Sequence, residues 1–374
     1  MKCYNLKHIV FSLLFILINY LYLLKYGTRY NLPLLPIIIS FTVLQVCILG
    51  GRAIIYKLLS KLNNLIYILF VCLIVGGILF LTKYVDRYAL QVDRWSAMEV
   101  AIRAIFTGEY PYTAIDHLGG RTSNFPGLLL LGIPFYLLGD VGYFQAFSFL
   151  LLAFTLYTVF ERQQAFYILL LLGISIPFWY EIAVISDFMS NMILVLCFIM
   201  LWNHYFKQEI YKKEIGLAIG ISILALTRGF TYVPLALYFF APFCQLNIKK
   251  QVRFAIYFLV TSILLILFAF YAVPNLETLK EYNPLTLQTS YTSIYNLLFI
   301  FLAPLILSFY IKKFNYDFFF YTLLITGTLS IILFIQFWNR VGFEELLHHS
   351  VFDLAYLAYI VPLLWILLSR PTPK

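Results

Sequence analysis

The chain has 374 residues, of which 63% are hydrophobic and 11% charged. A soluble domain carries about 25% charged residues, so this composition excludes a soluble globular protein and leaves almost nothing for a separate soluble domain. The net charge of +9 is not a nucleic-acid footprint, because an excess of Lys and Arg in a membrane protein sits in cytoplasmic loops and sets orientation.

The N-terminus places Lys2 and Lys7 ahead of the apolar run Ile9–Leu24, and no small-x-small cleavage site follows. That pattern predicts an uncleaved first span rather than a signal peptide. A spanning helix needs about 20 apolar residues. On that rule spans fall near 8–26, 33–50, 63–82, 141–160, 164–180, 187–206, 214–229, 231–247, 254–273, 290–310, 316–338 and 351–369. The expected fold is an all-α polytopic membrane protein of about 12 transmembrane helices in one transmembrane domain, 1–374. One apolar run is left over, 126–138, which is short and holds Gly and Pro. Runs of about 10–14 residues are more often re-entrant or interfacial than spanning.

Charge selects between crossing and interfacial for that run. If it does not cross, both termini are cytoplasmic and 16 of the 26 Lys and Arg lie inside, among them Arg52, Lys57, Lys61, Arg162, Lys212 and Arg370. If it crosses, the three later basic clusters face outward, against the positive-inside rule. Thirteen of the 17 acids then lie outside. The spans carry almost no ionisable residue near mid-depth, and the outer face collects the polar chemistry.

Most of that chemistry lies in the long outer loop 83–140. Asp93–Thr107 reads as an amphipathic helix lying on the membrane. Trp95, Met98, Ile102, Ile105 and Phe106 share one face, while Ser96, Glu99 and Arg103 share the other. Asp93 suits the first turn as a helix cap, and Gly108 suits the stop. Asp187, at the outer end of a span, reads either as a helix cap or as a functional carboxylate, since an ionised group at that depth is costly unless it faces protein or water. Arg228, in Leu226-Thr227-Arg228-Gly229, lies at a tight outer turn. It could hold a phosphate with both arms of its guanidinium or snorkel to lipid headgroups. Arg340 and His348-His349 pose the same question in the last outer loop. Adjacent histidines on a helix cannot both face one metal, so no zinc site is expected. Glu344-Glu345 reads as a solvated face. The five cysteines are scattered with no C-x-x-C spacing, which indicates neither disulfides nor a thiolate metal site. P-loop, nucleophile-elbow, zincin and dinucleotide fingerprints are absent from any supporting context.

In order along the chain, a span ends at Lys83-Tyr84 and Asp93 follows in an outer loop. An amphipathic helix then runs into Gly108-Glu109-Tyr110-Pro111-Tyr112, and a Pro-initiated segment opens at Phe125-Pro126-Gly127. Asp187 at a helix end and Gly216…Gly220…Leu226-Thr227-Arg228-Gly229 come later. This succession resembles the GT-C superfamily of integral-membrane glycosyltransferases, over roughly 64–240. The resemblance implies a core at 63–270 containing the outer loop 83–140, with extra N-terminal spans at 1–62 and C-terminal spans at 271–374. It implies inverting transfer of a sugar from a polyprenyl-phosphate-linked donor to an acceptor hydroxyl on the extracytoplasmic face. Carried over by position, Asp93 is the general base and Asp86 its alternative. Arg228, Arg340 or His348 would hold the lipid phosphate, and Asp187 and Glu99 form a secondary acidic set. Two extra spans precede the family's usual first one, Pro126-Gly127 stands where Pro-Pro is frequent, and no soluble C-terminal domain is present. Inverting transfer needs one base and cations for the leaving phosphate, so no cofactor is required and a divalent metal is not indicated. The partners implied are the donor, a glycan, lipid or protein acceptor, and the bilayer, with no nucleic acid. A lipid-linked glycan flippase, a membrane glycan polymerase and a membrane acyltransferase are the competing readings. A flippase would carry mid-membrane charges and inverted repeats.

Overall fold

A computed structural model of the chain describes residues 2–29, 32–90, 92–290, 292–311, 314–348 and 354–370. Among these residues the protein is helical throughout, with no strand and one isolated antiparallel bridge between Ile115 and Arg121. Each of the twelve apolar segments contains a helix. Five helices are long and apolar enough to cross a membrane: Leu6–Arg29, Asn64–Tyr84, Phe188–Phe206, Ile248–Phe270 and Tyr316–Val341. Counting each bent pair of helices as one span raises the number to eight at most. The expected twelve is a finer count than this. Several segments are half-length helices, such as the 12-residue Glu214–Ala225, and 12 residues rise about 18 Å against a hydrocarbon core of about 30 Å.

Local sequence sets the breaks. Asn63, Asn247, Asn275, Asn283 and Ser293 cap the helices that follow them, each accepting from a first-turn backbone N–H. Arg162–Gly173 and Ile176–Ala183 meet at 63° around Ser175, just before Pro177. The freed N–H of Ile176 is satisfied by Asn19 Oδ1 at 2.8 Å. A break inside a membrane bundle needs such a partner, because no water is there to supply one. Side-chain hydroxyls make similar links between helices. Tyr67 donates to the Ala153 carbonyl at 2.7 Å, Ser222 to Phe258 at 3.0 Å and Ser330 to Tyr356 at 2.9 Å.

The Phe188–Phe206 helix is buried along most of its length at the centre of the bundle. Asn64–Tyr84 and Ile248–Phe270 lie at the periphery and leave most of their apolar surface outward. That surface suits lipid, so the chain is a multi-pass membrane protein by character.

The Arg94–Thr107 helix forms where amphipathic spacing predicts, and Gly108 ends it in the left-handed region at φ 77°. Its apolar face meets protein, however. Trp95, Met98 and Ile102 are buried, as is Ser96 on the expected polar face, while Phe106 is exposed. The cover is the Pro126–Leu137 helix: a Cβ on Gly132 would stand 2.8 Å from Ile102 Cδ1 and 3.0 Å from Met98 Sδ. That second helix has 12 residues and packs on Glu214–Ala225 and Ile248–Phe270. Gly127 at its start lies against backbone, where a Cβ would meet the Ile223 carbonyl oxygen at 2.2 Å. The Gly127 N–H donates to the Leu226 carbonyl at 2.7 Å. Only glycine permits this approach, and it carries residues 123–126 to the turn that holds Arg228.

Candidate functional site

The 83–140 loop is closed at its base by one ion pair. Arg87 Nη1 and Nη2 donate to the two Asp140 carboxylate oxygens, at 3.0 and 2.5 Å, and Nη2 also reaches the Thr82 carbonyl at 2.9 Å. Its other flank rests on the connection that follows the Ile248–Phe270 helix. Tyr110 donates to the Tyr282 carbonyl at 3.1 Å, Tyr271 to Ile105 at 3.1 Å, and Arg121 lies 4.2 Å from the Tyr282 ring centre. Burial pushes the Tyr110 hydroxyl up to about 12, so it stays a neutral donor.

Within this frame Asp93 and Asp116 converge. Residues 116–120 form a tight turn in which Asp116 Oδ1 accepts from the N–H groups of Leu118 at 2.8 Å and Gly120 at 3.0 Å. Gly119 takes φ 82°, which only glycine adopts freely. A Cβ on Gly120 would stand 2.7 Å from Asp116 Oδ2 and 3.2 Å from Asp93 Oδ2, so both carboxylates crowd one small backbone surface. Asp116 Oδ2 is buried and accepts no hydrogen bond among the described residues. Asp93 occupies the residue before the Arg94–Thr107 helix but caps nothing, and its carboxylate has no hydrogen-bond or ion-pair partner among the described residues. His117 stands beside it: Ser96 Oγ and His117 Nδ1 are 2.5 Å apart, and the ring packs on Trp95 at 5.2 Å.

Asp187 and Arg228 are joined directly. Arg228 Nε and Nη2 donate to Asp187 Oδ2 and Oδ1 at 2.8 and 2.7 Å, and both residues are buried. Asn191 Nδ2 donates to Asp187 Oδ2 at 2.7 Å. Asp187 makes no helix-capping bond, so its carboxylate serves the ion pair. Arg228 also donates to Ser123 Oγ at 2.9 Å and to Asn124 Oδ1. Gln288 spans the same point, donating to the Ser123 carbonyl at 2.6 Å and accepting from Gly229 N–H at 3.0 Å. Upstream of Asp187, Ile185 has φ 50°, and no other non-glycine among the described residues has a positive φ. A β-branched residue there is strained. The bend is held by Gln145, whose Nε2 donates to the carbonyls of Glu181 and Ser186 at 2.7 and 2.8 Å.

Phe188 links the two halves of the site. The Arg94 guanidinium carbon lies 3.7 Å and the Arg228 one 4.8 Å from its ring centre. Phe188 stacks in turn on Tyr359, and Tyr359 on Phe230, with centroids 4.9 and 4.6 Å apart. The first turn of the Arg94–Thr107 helix, which follows Asp93, thus meets the Asp187–Arg228 turn over one ring. The arrangement places a carboxylate without a partner among the described residues beside a second one, and brings two guanidinium groups to one aromatic ring.

The other residues singled out in the sequence lie apart. Asp86 is exposed and accepts from the Tyr88 N–H at 3.0 Å. Glu99 pairs with Arg103 at 3.0 Å one helical turn on. Arg340 is exposed and lines an open pocket with Ser290, Thr292, Ser293 and Gln336. His348 closes the short Phe343–His348 helix; its side chain, and His349 entirely, lie outside the described residues. Asp116 and Arg94 were not singled out. The Asp-x-x-Gly-Gly turn marks the first, and the position directly after Asp93 marks the second. Among the described residues no three His, Cys, Asp or Glu side chains gather as a metal-binding set. Comparison with family models, with curated proteins and with solved structures finds no match to this chain.

Proposed function

We propose that the protein is an integral-membrane glycosyltransferase that moves a sugar from a lipid-phosphate-linked donor to an acceptor hydroxyl at the outer face, with inversion. The observation that carries this reading is the Asp93 carboxylate, unpartnered among the described residues and set beside Asp116, with Arg94, the next residue, sharing the Phe188 ring with Arg228. Asp93 takes the proton of the acceptor hydroxyl as its oxygen attacks the anomeric carbon. The bond from that carbon to the phosphate oxygen breaks, and the lipid phosphate leaves. Cations stabilise the charge gained by the phosphate. A guanidinium has five N–H donors; four of the Arg228 donors are already engaged by Asp187, Ser123 and Asn124. Its share in holding phosphate is therefore one Nη1 proton plus its field, and Arg94 lies on the same Phe188 ring. Arg340 contributes only if the donor extends to its pocket. In this reading both termini are cytoplasmic and the helices form about twelve passes, several of them broken.

The test uses purified protein with a panel of polyprenyl-phosphate hexoses and membrane glycan acceptors. Asp93→Asn keeps the side-chain size and removes its basicity, so transfer should fall by about 10²–10⁴. Near-full turnover by that variant sinks the assignment. A lipid-linked glycan flippase is the second reading, favoured by the broken Arg162–Ala183 segment, since transporters build their sites on interrupted helices. Movement of donor across liposomes without any transfer would select it.

A further inference from the structure

We propose that the Arg52 guanidinium, at the end of the bundle opposite Asp93, is the centre of a binding site for a phosphate-bearing anion. Arg52 opens the Arg52–Leu59 helix, which leaves the Leu34–Gly50 helix at 71°. The sequence places Arg52 among solvated loop cations, yet the residue is only 8% exposed. Its Nη1 and Nη2 are both buried and make no hydrogen bond among the described residues. Among the described residues no carboxylate pairs with it, and the rings of Tyr56 at 5.5 Å and Tyr167 at 6.0 Å lie against it. Those rings are held from behind, Tyr167 by donating to the Ile48 carbonyl at 3.1 Å and Tyr56 by donating to Ser369.

An ionised guanidinium in such a place needs a counter-charge, because a buried unpaired ion is among the costliest features a fold can carry. Other unsatisfied polar atoms lie on the elements that meet here. Gln45, two turns earlier on the Leu34–Gly50 helix, has both side-chain polar atoms buried without a hydrogen-bond partner among the described residues, and His8 Nε2 is in the same condition. His8 is close enough to feel the Arg52 charge. A planar fork whose two terminal nitrogens have no hydrogen-bond partner among the described residues, with an imidazole near enough to feel its charge and no acid in hydrogen-bond contact among those residues, suits a phosphate oxyanion. The Arg52–Leu59 helix turns Ile54 and Leu58 outward with Lys57 between them, the composition of an interfacial helix at headgroup depth. A lipid phosphate headgroup and free phosphate share this chemistry.

The experiment titrates delipidated wild-type protein in detergent with dioleoyl phosphatidylglycerol, with dioleoyl phosphatidylcholine and with inorganic phosphate. Retention of lipid is read by native mass spectrometry and phosphate binding by calorimetry. One phosphatidylglycerol should be held about tenfold more tightly than phosphatidylcholine, and Arg52→Gln should remove about that factor. Lys57→Gln, on the exposed face of the same helix, should keep the preference. If inorganic phosphate binds with the same dependence on Arg52 and phosphatidylglycerol shows no preference, the anion is free phosphate and the site stands. Wild-type protein that neither prefers phosphatidylglycerol nor binds phosphate overturns the proposal, whatever the variants do. A preference that survives Arg52→Gln overturns it as well.

Discussion

Arg228 grips Asp187 with two nitrogens across 41 residues of sequence, and the pair is buried at the N-terminal end of the central Phe188–Phe206 helix. Taking away one partner leaves the other as an uncompensated buried charge. Arg228→Ala or Asp187→Ala should each destabilise the protein by about 3–5 kcal/mol. The double variant should cost clearly less than the two singles added, because the second change removes the stranded charge. Arg228→Lys keeps the charge and loses the fork together with the bonds to Ser123 and Asn124, so it should rank between wild type and Arg228→Ala. Thermal unfolding of the purified variants in one detergent checks the order. Additive single effects would mean that the pair is not coupled.

Gly127 and Gly132 lie on one helix and predict opposite tolerance. A Cβ at 127 would meet carbonyl oxygens, Ile223 at 2.2 Å and Leu226 at 2.7 Å, and backbone on both sides cannot give way. Gly127→Ala should cost about 1–3 kcal/mol and lift Ser123 and Asn124 off Arg228. A Cβ at 132 would meet the flexible ends of Ile102 and Met98, while alanine gains about 1 kcal/mol of helix propensity over glycine. Gly132→Ala should therefore be nearly neutral. Melting temperatures of the two variants decide, and equal losses would contradict the backbone argument.

These two glycines show what the sequence carries and what it withholds. Helix ends are written locally, in Asn63, Asn247, Gly108 and Pro126, so the elements and the outer loop can be read from spacing and caps. The resemblance places Asp93 in that loop, and its exemption from capping emerges only when the helix start is seen. Asp187 and Arg228 can each be singled out from depth and charge, but nothing in the chain between them announces a pair. Their meeting depends on the docking of residues 123–127 against the 223–228 turn. Burial is least legible of all. Arg52 and Lys25 look like cations at span ends, where Lys and Arg ordinarily snorkel, yet both are buried among neighbouring helices. Packing between elements distant in sequence decided that.

The Arg87–Asp140 pair ties the two ends of the 83–140 loop together, and both side chains are less than one-fifth exposed. Two parallel charged hydrogen bonds and the Thr82 contact should contribute about 1–3 kcal/mol. Arg87→Gln should leave the membrane helices intact and loosen the loop selectively. Hydrogen exchange should rise across 83–125 while the Phe188–Phe206 helix stays protected. Uniform change over the whole chain would show that the pair supports global stability instead.

Orientation can be tested without knowing the substrate. The distribution of Lys and Arg predicts that the loop holding Glu109 faces the outer side and the turn holding Lys212 the inner side. Both residues are exposed, so cysteine introduced at either should react with a thiol reagent that reaches it. In a background with the native cysteines replaced by alanine, Glu109→Cys should label from outside intact cells with a membrane-impermeant maleimide. Lys212→Cys should label only after permeabilisation. The segment 126–138 lies between these two positions, so the pair also reports whether that run crosses. One extra crossing reverses the side of every later loop, and outside labelling at 212 would then move Arg228 and Asp187 to the face opposite Asp93. Their shared contact through Phe188 with Arg94 argues against that separation, so inside-only labelling at 212 is the expected result.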